Sequence, residues 1–325
     1  MKIWTKRWVK LTGGLLITLI ALWLSFRNIT WATFFQILSE IHWGWVALAV
    51  SNVIFSVYIM GWRWKILLSP KANFSMMKLF RLNMISQYWN IVLPARAGDV
   101  VKAYLISKEK AVSSGFGVGT VVLEKIFDFF VFGVLVLTVP FFVAVEKNWW
   151  PALPTSLFVL VIFIFSLGVI VWRPGYFLKL TLVFSRILPP RFRPSISDFL
   201  FSGLESLAIL KNPQLMLSLI LFSFCFVAIQ ALSNYLVFLA LGFKLSVAAA
   251  LVVLLTLQVV NIPPSSPGKI GVFEYVVIMT LAFYGVGKTE ALGYAILLHL
   301  VVYLPKIVGG GIMLVGQGDS LDKSQ

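Results

Sequence analysis

Residues 93–99 read LPARAGD, and they separate two apolar pieces of the chain, at about 79–93 and 99–107. A helix needs about 20 residues to cross the roughly 30 Å hydrocarbon core, so neither piece can span a membrane alone. Irregular backbone at membrane depth is tolerated only where protein or a water-filled cavity surrounds it. This stretch therefore predicts a re-entrant helical hairpin that is broken between Pro94 and Gly98.

A second break lies at residues 263–269, which read PPSSPGK, between apolar pieces at about 248–262 and 270–285. Both breaks follow an Asn-Ile pair and share the spacing Pro-x-x-x-Gly, with Pro264 and Gly268 in the second. Two Gly/Pro-interrupted apolar segments in opposite orientations are typical of a transporter site at a repeat interface. The predicted re-entrant regions are about 79–107 and 248–285.

Six other apolar runs are long enough to cross a membrane, so the fold class predicted is an all-α polytopic membrane helix bundle of six to eight spans. The second run ends at Trp62-Arg63-Trp64-Lys65, an aromatic and basic pattern that is typical of a membrane border. The six predicted spans are about 11–26, 43–61, 116–143, 153–172, 214–241 and 292–315.

The composition supports a membrane protein. Hydrophobic residues make up 60% of the 325 residues and charged residues 12%, against about 25% charged in an average soluble domain. Such a chain cannot form a soluble fold, and it is too apolar to be disordered. The net charge of +15 would suggest nucleic acid for a soluble protein. Here the cations lie between apolar runs, which indicates anionic lipid headgroups and no nucleic acid as partner.

The distribution of Lys and Arg predicts the orientation. Residues 1–10 carry four, residues 61–114 nine and residues 173–213 six, whereas the intervening loops carry about one each. By the positive-inside rule, both termini face the cytoplasm and the protein lies in the cytoplasmic membrane. We predict a basic cytoplasmic tail, one integral membrane domain with a basic cytoplasmic linker, and a short cytoplasmic tail. Their limits are 1–10, 11–315 (linker 173–213) and 316–325.

Candidate binding residues cluster around the first break. A charge at mid-membrane costs about 2.5–3.5 kcal/mol and usually faces a cavity or a partner. The planar fork of Arg96 suits a lipid phosphate, and Asn90 is a further candidate for contact with the substrate. Alternatively, Arg96 pairs with Asp99 or Glu124 and only holds the hairpin together. Asp99 is predicted to cap the helix that follows it.

Glu124 and Asp128 are four residues apart and share one helix face, so they need a cation or a proton in lipid. Either Glu124 recognises a headgroup amine or takes part in proton coupling, or it forms a buried ion pair with the hairpin. For Asp128 we predict a structural, charge-balancing role. Arg63, Lys125 and Arg96 are the candidate cations.

The second break offers Ser266 as a helix cap, Lys269 as a cation and Glu274 as a balancing acid. A helix that begins there presents free N–H groups and positive potential, which favour an anionic headgroup. The alternative is a tight turn whose Lys269 reaches the interface and whose Glu274 pairs with a base. His299 either serves a proton step or packs as a hydrogen-bonded core residue.

The chain contains one cysteine, two histidines, no Gly-rich P-loop and none of the common hydrolase motifs. We therefore expect no metal site, no cofactor and no ATP hydrolysis within this chain.

Three strings give the chain a resemblance to a known family: NIVLPARAGDVVK at 90–102, VLEKIFD at 122–128 and PPSSPGKIGVFE at 263–274. They resemble the membrane domain of lysylphosphatidylglycerol synthases, which also occurs alone in flippase-like membrane proteins. The resemblance covers roughly residues 10–315. It implies a polytopic bundle with re-entrant helices that moves polar lipids between leaflets. The family often has Gly at the position of Lys269 and Arg at the position of His299.

The chain ends about ten residues after the last predicted span, so we expect the stand-alone form, without the aminoacyl transferase domain. The leading hypothesis is the flipping of a phospholipid or polyprenyl-linked lipid between leaflets, with the headgroup in a charged groove. The alternatives are a membrane component of an aminoacyl or glycosyl transferase and a partner subunit. A second copy of the chain or a lipid-synthesising enzyme would be further partners. The missing ATPase and catalytic motifs favour a transporter over an enzyme.

Overall fold

The computed structural model describes residues 16–93, 97–109, 111–142, 161, 193–259 and 267–322. Within these stretches the secondary structure is helical and contains no strand, which confirms the predicted all-α class. The helices are α1 Leu16–Phe26, α2 Trp31–Ser39, α3 Trp43–Leu68, α4 Met76–Val92, α5 Gly98–Ser107, α6 Ser114–Phe142, α7 Arg193–Glu205, α8 Pro213–Ala240, α9 Val247–Val259, α10 Val272–Ala282 and α11 Lys288–Asp322. Two 3₁₀ turns cover Ser206–Lys211 and Pro267–Lys269.

Three helices are long and apolar enough to cross a membrane: α3, α8 and the part Lys288–Gly316 of α11. Helices α1 and α2 add a fourth candidate span as a pair bent by 86°. The bend passes through Asn28, whose φ of 57° lies in the left-handed region that Asn tolerates better than most residues. These helices are those of a membrane helix bundle, and α2 is an element that the sequence reading did not predict.

Helix α6 has 29 residues, corresponds to the predicted span at 116–143 and carries Glu124, Lys125 and Asp128. The predicted hairpin pieces correspond to α4 and α5 at the first break, and to α9 and α10 at the second. The predicted span at 153–172, apart from Val161, and the linker as far as residue 192 lie outside the described residues.

Several helices begin at polar caps that the sequence supplies. The Asn212 side chain accepts hydrogen bonds from the backbone N–H groups of Gln214 and Leu215, at 3.0 and 3.2 Å, and Pro213 is the first residue of α8. Asparagine before proline is a strong start signal, because the cap satisfies free donors and proline has none to satisfy. Ser246 caps α9 in the same way.

Backbone contacts divide the chain into two compact units. The described residues of Met1–Ser56, Met84–Gly98 and Ala228–Gln325 belong to unit 1. Those of Val57–Asn83 and Asp99–Val227 belong to unit 2. Helices α3, α4 and α8 each contribute residues to both units.

In unit 1, helices α2 and α10 pack against α11, and α9 packs against α10 as the second arm of a hairpin. The core contains a stack of three rings, in which Phe238 and Tyr294 have centroids 4.5 Å apart and Phe243 lies beside both. The Thr280 and Thr256 hydroxyls join the two arms of the hairpin at 3.0 Å. Helix α10 is therefore held on both sides.

In unit 2, glycines let helices α6 and α7 approach closely. A Cβ at Gly115 would lie 2.0 Å from the carbonyl oxygen of Phe199, and one at Gly119 would lie 2.5 Å from that of Gly203. This Gly-x-x-x-Gly spacing on α6 is the usual device for close helix packing in membranes. It brings the middle and end of α7 directly onto the first turns of the helix that carries Glu124.

At the predicted border Trp62-Arg63-Trp64-Lys65 the structure has a continuous helix and two buried side chains. Helix α3 continues to Leu68, and Arg63 and Trp64 are buried in unit 2, with exposed fractions of 1% and 0%. Arg63 and Trp64 can be buried because α6 supplies polar partners to both side chains. The sequence pattern does not reveal this pairing.

Candidate functional site

Six charged side chains gather in unit 2 and form what we name the charge cluster: Arg63, Asp99, Lys102, Glu124, Lys125 and Asp128. Helix α3 supplies the first, α5 the next two and α6 the last three. Spacings of three and four residues place these groups on common helix faces. Three cations therefore balance three carboxylates in an otherwise apolar environment.

The innermost part of the charge cluster is an ion pair between Lys102 and Glu124. The ammonium Nζ of Lys102 donates to Oε2 of Glu124 at 2.6 Å, and both residues are at most 2% exposed. The same ammonium lies 4.2 Å from the ring centroid of Trp64, within the range of a cation–π contact. Trp64 is itself held by a hydrogen bond from Nε1 to the Thr120 hydroxyl, at 3.1 Å.

Arg63 connects this pair to Asp128. One guanidinium nitrogen lies 2.7 Å from Oδ1 of Asp128 and also donates to the backbone carbonyl oxygen of Glu124, at 3.2 Å. The Phe226 ring lies beside the guanidinium, with its centroid 5.3 Å from Cζ. Arg63 thus holds one turn of α6 through both a side chain and the backbone.

The outer part of the charge cluster is partly open. Lys125 Nζ lies 3.2 Å from Oδ2 of Asp99 and 3.9 Å from Oδ2 of Asp128. The side chains of Lys125 and Asp128 are 30% and 34% exposed, whereas that of Asp99 is 17% exposed. The charge cluster therefore grades from accessible charges to a fully buried pair.

Two atoms within the charge cluster have unused hydrogen-bonding capacity. Oε1 of Glu124 and Nε of Arg63 are buried and have no hydrogen-bond partner among the residues that the structure describes. A buried polar atom without a partner costs about 1–3 kcal/mol, and more for a charged group. Such atoms are unusual in a native protein, and they leave one acceptor and one donor unused beside the ion pairs.

The second group of predicted residues lies in unit 1, at the start of α10. Oε2 of Glu274 accepts a hydrogen bond from the backbone N–H of Gly271, the residue before α10, at 2.6 Å. Oε1 of Glu274 lies 2.5 Å from Nδ1 of His299, and the His299 ring packs between Phe273 and Tyr303. Glu274 is 6% exposed, so its carboxylate is occupied by a helix cap and an imidazole.

Backbone geometry explains the glycines near the second break. Gly271 has a φ of 87°, and a Cβ there would lie 2.8 Å from the carbonyl oxygen of Thr18. Gly268 also has a positive φ, and so does Lys269, at 60°. Lys269 is half-buried. A lysine in this region of φ is uncommon, so the turn is shaped by its surroundings.

At the first break, Gly98 packs directly onto α4. A Cβ at Gly98 would lie 2.0 Å from the carbonyl oxygen of Ser86 and 2.6 Å from the backbone nitrogen of Asn90. The Ser86 hydroxyl donates to the carbonyl oxygen of Gly98 at 2.9 Å. Asn90 itself is half-buried. Only glycine fits this approach without moving the backbone.

Four of the predicted site residues lie outside the described residues, namely Pro94, Arg96, Pro264 and Ser266. The predicted roles of Arg96 and Ser266 in phosphate binding therefore stay predictions. The structure shows the contacts described above for Glu124, Asn90, Lys269 and Glu274, and their roles in substrate binding stay predictions as well. Among the described residues, no group of three His, Cys, Asp or Glu side chains could hold a metal ion.

Lys102 is the site residue that the sequence reading missed. It lies in an apolar piece three residues after Asp99, where a charge is as costly as at Arg96 or Glu124. The same argument that selected those residues would have selected Lys102. Its partner could not have been inferred, because Glu124 lies 22 positions further along the chain.

Comparison with known proteins agrees with this architecture. The family described as the lysylphosphatidylglycerol synthase TM region matches residues 11–310. The chain is similar to a UPF0104 membrane protein of Pyrococcus horikoshii, with 26% identity over 95% of this chain and 97% of the relative. It is also similar to a UPF0104 membrane protein of Methanocaldococcus jannaschii, with 28% identity over 69% of this chain and 92% of the relative.

A shorter match, with 32% identity over 127 residues, relates 38% of this chain to 20% of the glycosyltransferase AglD of Haloferax volcanii. No solved structure gives a significant match. The family match extends over nearly the whole chain, including both breaks and the charge cluster. On this ground the chain belongs to the family of the lysylphosphatidylglycerol synthase TM region.

Proposed function

We propose that this protein translocates a polar lipid, a phospholipid or a polyprenyl-linked lipid, between the leaflets of the cytoplasmic membrane. The observation that carries the proposal is the charge cluster of unit 2. Six ionisable side chains lie in an apolar helical unit, and a charge on each would cost about 2.5–3.5 kcal/mol at mid-membrane. A charged headgroup is the ligand that such a cluster suits.

The grading of exposure supports an entry route for the headgroup. Asp128 and Lys125 are accessible, so an amine can approach the first and a phosphate the second. The unpartnered Oε1 of Glu124 and Nε of Arg63 then supply one more acceptor and one more donor at depth. A headgroup that carries both an amine and a phosphate is complementary to this arrangement.

The acyl chains would remain in the bilayer while the headgroup passes along the polar side chains. Without an ATPase motif in the sequence, we propose that movement is passive or driven by a proton or the membrane potential. Arg96, two residues before Gly98 in the sequence, is proposed as a further phosphate contact. We also propose, from the distribution of Lys and Arg along the sequence, that both termini face the cytoplasm.

The test is lipid scrambling in reconstituted vesicles. Vesicles with fluorescent phospholipids of several headgroups are treated with dithionite, which bleaches only the outer leaflet. We expect wild-type protein to raise the bleached fraction above that of empty vesicles. The double variant Lys102→Met/Glu124→Leu removes the inner charges in matched volume and should abolish this gain.

The matched control is Glu109→Leu, which breaks the exposed Lys78–Glu109 pair of the same unit. This variant should scramble lipid like the wild type. The proposal would be contradicted if the wild type scrambled none of the labelled phospholipids. It would also be contradicted if the double variant scrambled lipid as well as the control variant does.

A second candidate function is a membrane component of a lipid-modifying transferase. The match to the glycosyltransferase AglD favours it, although it covers only 38% of this chain. Lipid extracts from cells with and without the protein separate the two functions. A missing lipid species would support the transferase, whereas an unchanged pool with an altered leaflet distribution would support translocation.

A further inference from the structure

A groove in unit 1 combines cations with an apolar wall. It has a volume of about 290 Å³ and is lined by the end of α1, by α10 and by the start of α11. Arg27 and Lys288 provide its polar end, and Ile278, Met279 and Ala282 are part of its apolar wall. None of its residues belongs to the charge cluster.

Lys288 is fixed in place by the end of α1. Its Nζ donates to the carbonyl oxygen of Leu24 at 2.9 Å and to that of Arg27 at 2.7 Å. These are carbonyls at the end of a helix, which attract a cation. An ammonium has three donors, so one remains for a ligand.

Arg27 is exposed and its guanidinium lies over the Trp23 ring, 4.9 Å from the centroid. Among the described residues, neither Arg27 nor Lys288 forms an ion pair with a carboxylate. The Glu290 carboxylate instead lies close to Gly287. The polar end of the groove therefore has a net positive charge.

From this arrangement we infer that the groove binds an anionic phospholipid, with the phosphate at Arg27 and Lys288 and one acyl chain along α10. Charge complementarity identifies the headgroup, because the fork of Arg27 matches phosphate oxygens in two-point contact. Met279 and Ala282 are exposed, so the acyl chain can enter the groove from the bilayer. The volume is near the lower end of the roughly 300–1,000 Å³ of small-molecule sites, which suits a phosphate and one chain segment.

The inference is tested by the binding of labelled phosphatidylglycerol to the full-length protein in an uncharged detergent. Unlabelled phosphatidylglycerol, phosphatidylcholine and soluble glycerol phosphate serve as competitors. We expect the first to compete strongly, phosphatidylcholine weakly, and glycerol phosphate only at far higher concentration, because it lacks the chain.

Arg27→Gln should weaken binding about tenfold, the factor that roughly 1.4 kcal/mol produces. This variant leaves the fold intact, because Lys288 bonds to the backbone of Arg27 and not to its side chain. Ala282→Trp fills the groove without changing a charge and should abolish binding. The control is Lys244→Gln, which removes another exposed cation of unit 1 and should bind normally.

Unchanged binding in Arg27→Gln would overturn the inference, as would an equal loss in Lys244→Gln, which indicates diffuse charge attraction. If phosphatidylcholine competed as strongly as phosphatidylglycerol, the two cations would not select an anionic lipid and the inference would fail. If glycerol phosphate competed at the same concentrations as phosphatidylglycerol, the apolar wall would not contribute to binding and the inference would fail. Absence of any binding to the wild type also refutes it.

Discussion

The substitution Glu124→Leu tests how the buried ion pair contributes to stability. It keeps the side-chain volume but leaves the Lys102 ammonium without its carboxylate, which lies 2.6 Å away in the native protein. Lys102 is 1% exposed, so water cannot replace the lost partner. The Trp64 ring and, at longer range, the Asp99 carboxylate remain as neighbours that attract the cation.

The magnitude follows from burial. Removing one partner of a buried ion pair costs about 3–5 kcal/mol, because it leaves an uncompensated charge. Replacing both partners by apolar residues of similar volume is often neutral or stabilising. The double variant Lys102→Met/Glu124→Leu should therefore regain most of the stability that either single variant loses. The exposed pair Lys78–Glu109, with side chains 39% and 38% exposed, should contribute only about 0–1 kcal/mol.

The assay is thermal unfolding of the purified protein in a mild detergent, for the wild type, both single variants, the double variant and Glu109→Leu. At about 2–4 °C per kcal/mol, we expect Glu124→Leu to lower the midpoint by on the order of 10 °C. Glu109→Leu should change it by at most a few degrees. The coupling between Lys102 and Glu124 is the difference between the double variant and the sum of the single ones.

Two results would refute this reasoning. If Glu124→Leu destabilises no more than Glu109→Leu, then the Lys102 ammonium is not isolated from water. If the double variant is as unstable as the single variants, then packing and not charge accounts for the loss.

Gly98→Ala should prevent normal folding, because its Cβ would meet the α4 backbone, whereas Gly44→Ala, with nothing within 4 Å, should fold and can serve as the control in gel filtration. Equal yields of monodisperse protein would disprove the close approach. Gly115→Ala should push α7 away from α6. In a background with Cys225→Ser and Ser202→Cys, the thiol introduced at position 202 should therefore react faster with a thiol reagent when Gly115→Ala is also present. An unchanged labelling rate would count against this packing. Glu274→Leu should lower stability by about 1–2 kcal/mol through the lost helix cap, measured by the same thermal assay, and a neutral effect would contradict the capping role.

Much of the architecture follows from local sequence. Proline removes a hydrogen bond from a helix and glycine lowers helix stability, so the breaks near Pro94 and at Gly268 can be predicted from the sequence itself. The pieces on either side of each break are long enough to form helices and too short to span, and the structure has α4, α5, α9 and α10 at these places. The helix starts at Asn212-Pro213 and Ser246 follow from the same local rules.

The first predicted span shows where local rules fail. The apolar run at 11–26 predicted a helix that ends near Phe26, as α1 does, but it did not predict the bend of 86° and helix α2 that follow. The bend depends on the left-handed backbone of Asn28 and on contacts between this corner and α11, through Lys288 and the Thr289 hydroxyl. These contacts join residues more than 250 positions apart, so no local pattern contains them.

The sequence by itself determined that the chain is a helical membrane protein, where its apolar segments are broken and which charges are costly in lipid, because these properties depend on composition and short-range spacing. Only the tertiary structure decided that Lys102 is the partner of Glu124, that Arg63 is buried and that Arg27 meets Lys288 at one groove. Pairing of charges depends on which helix faces pack together, and that is set by the whole core and not by any one segment.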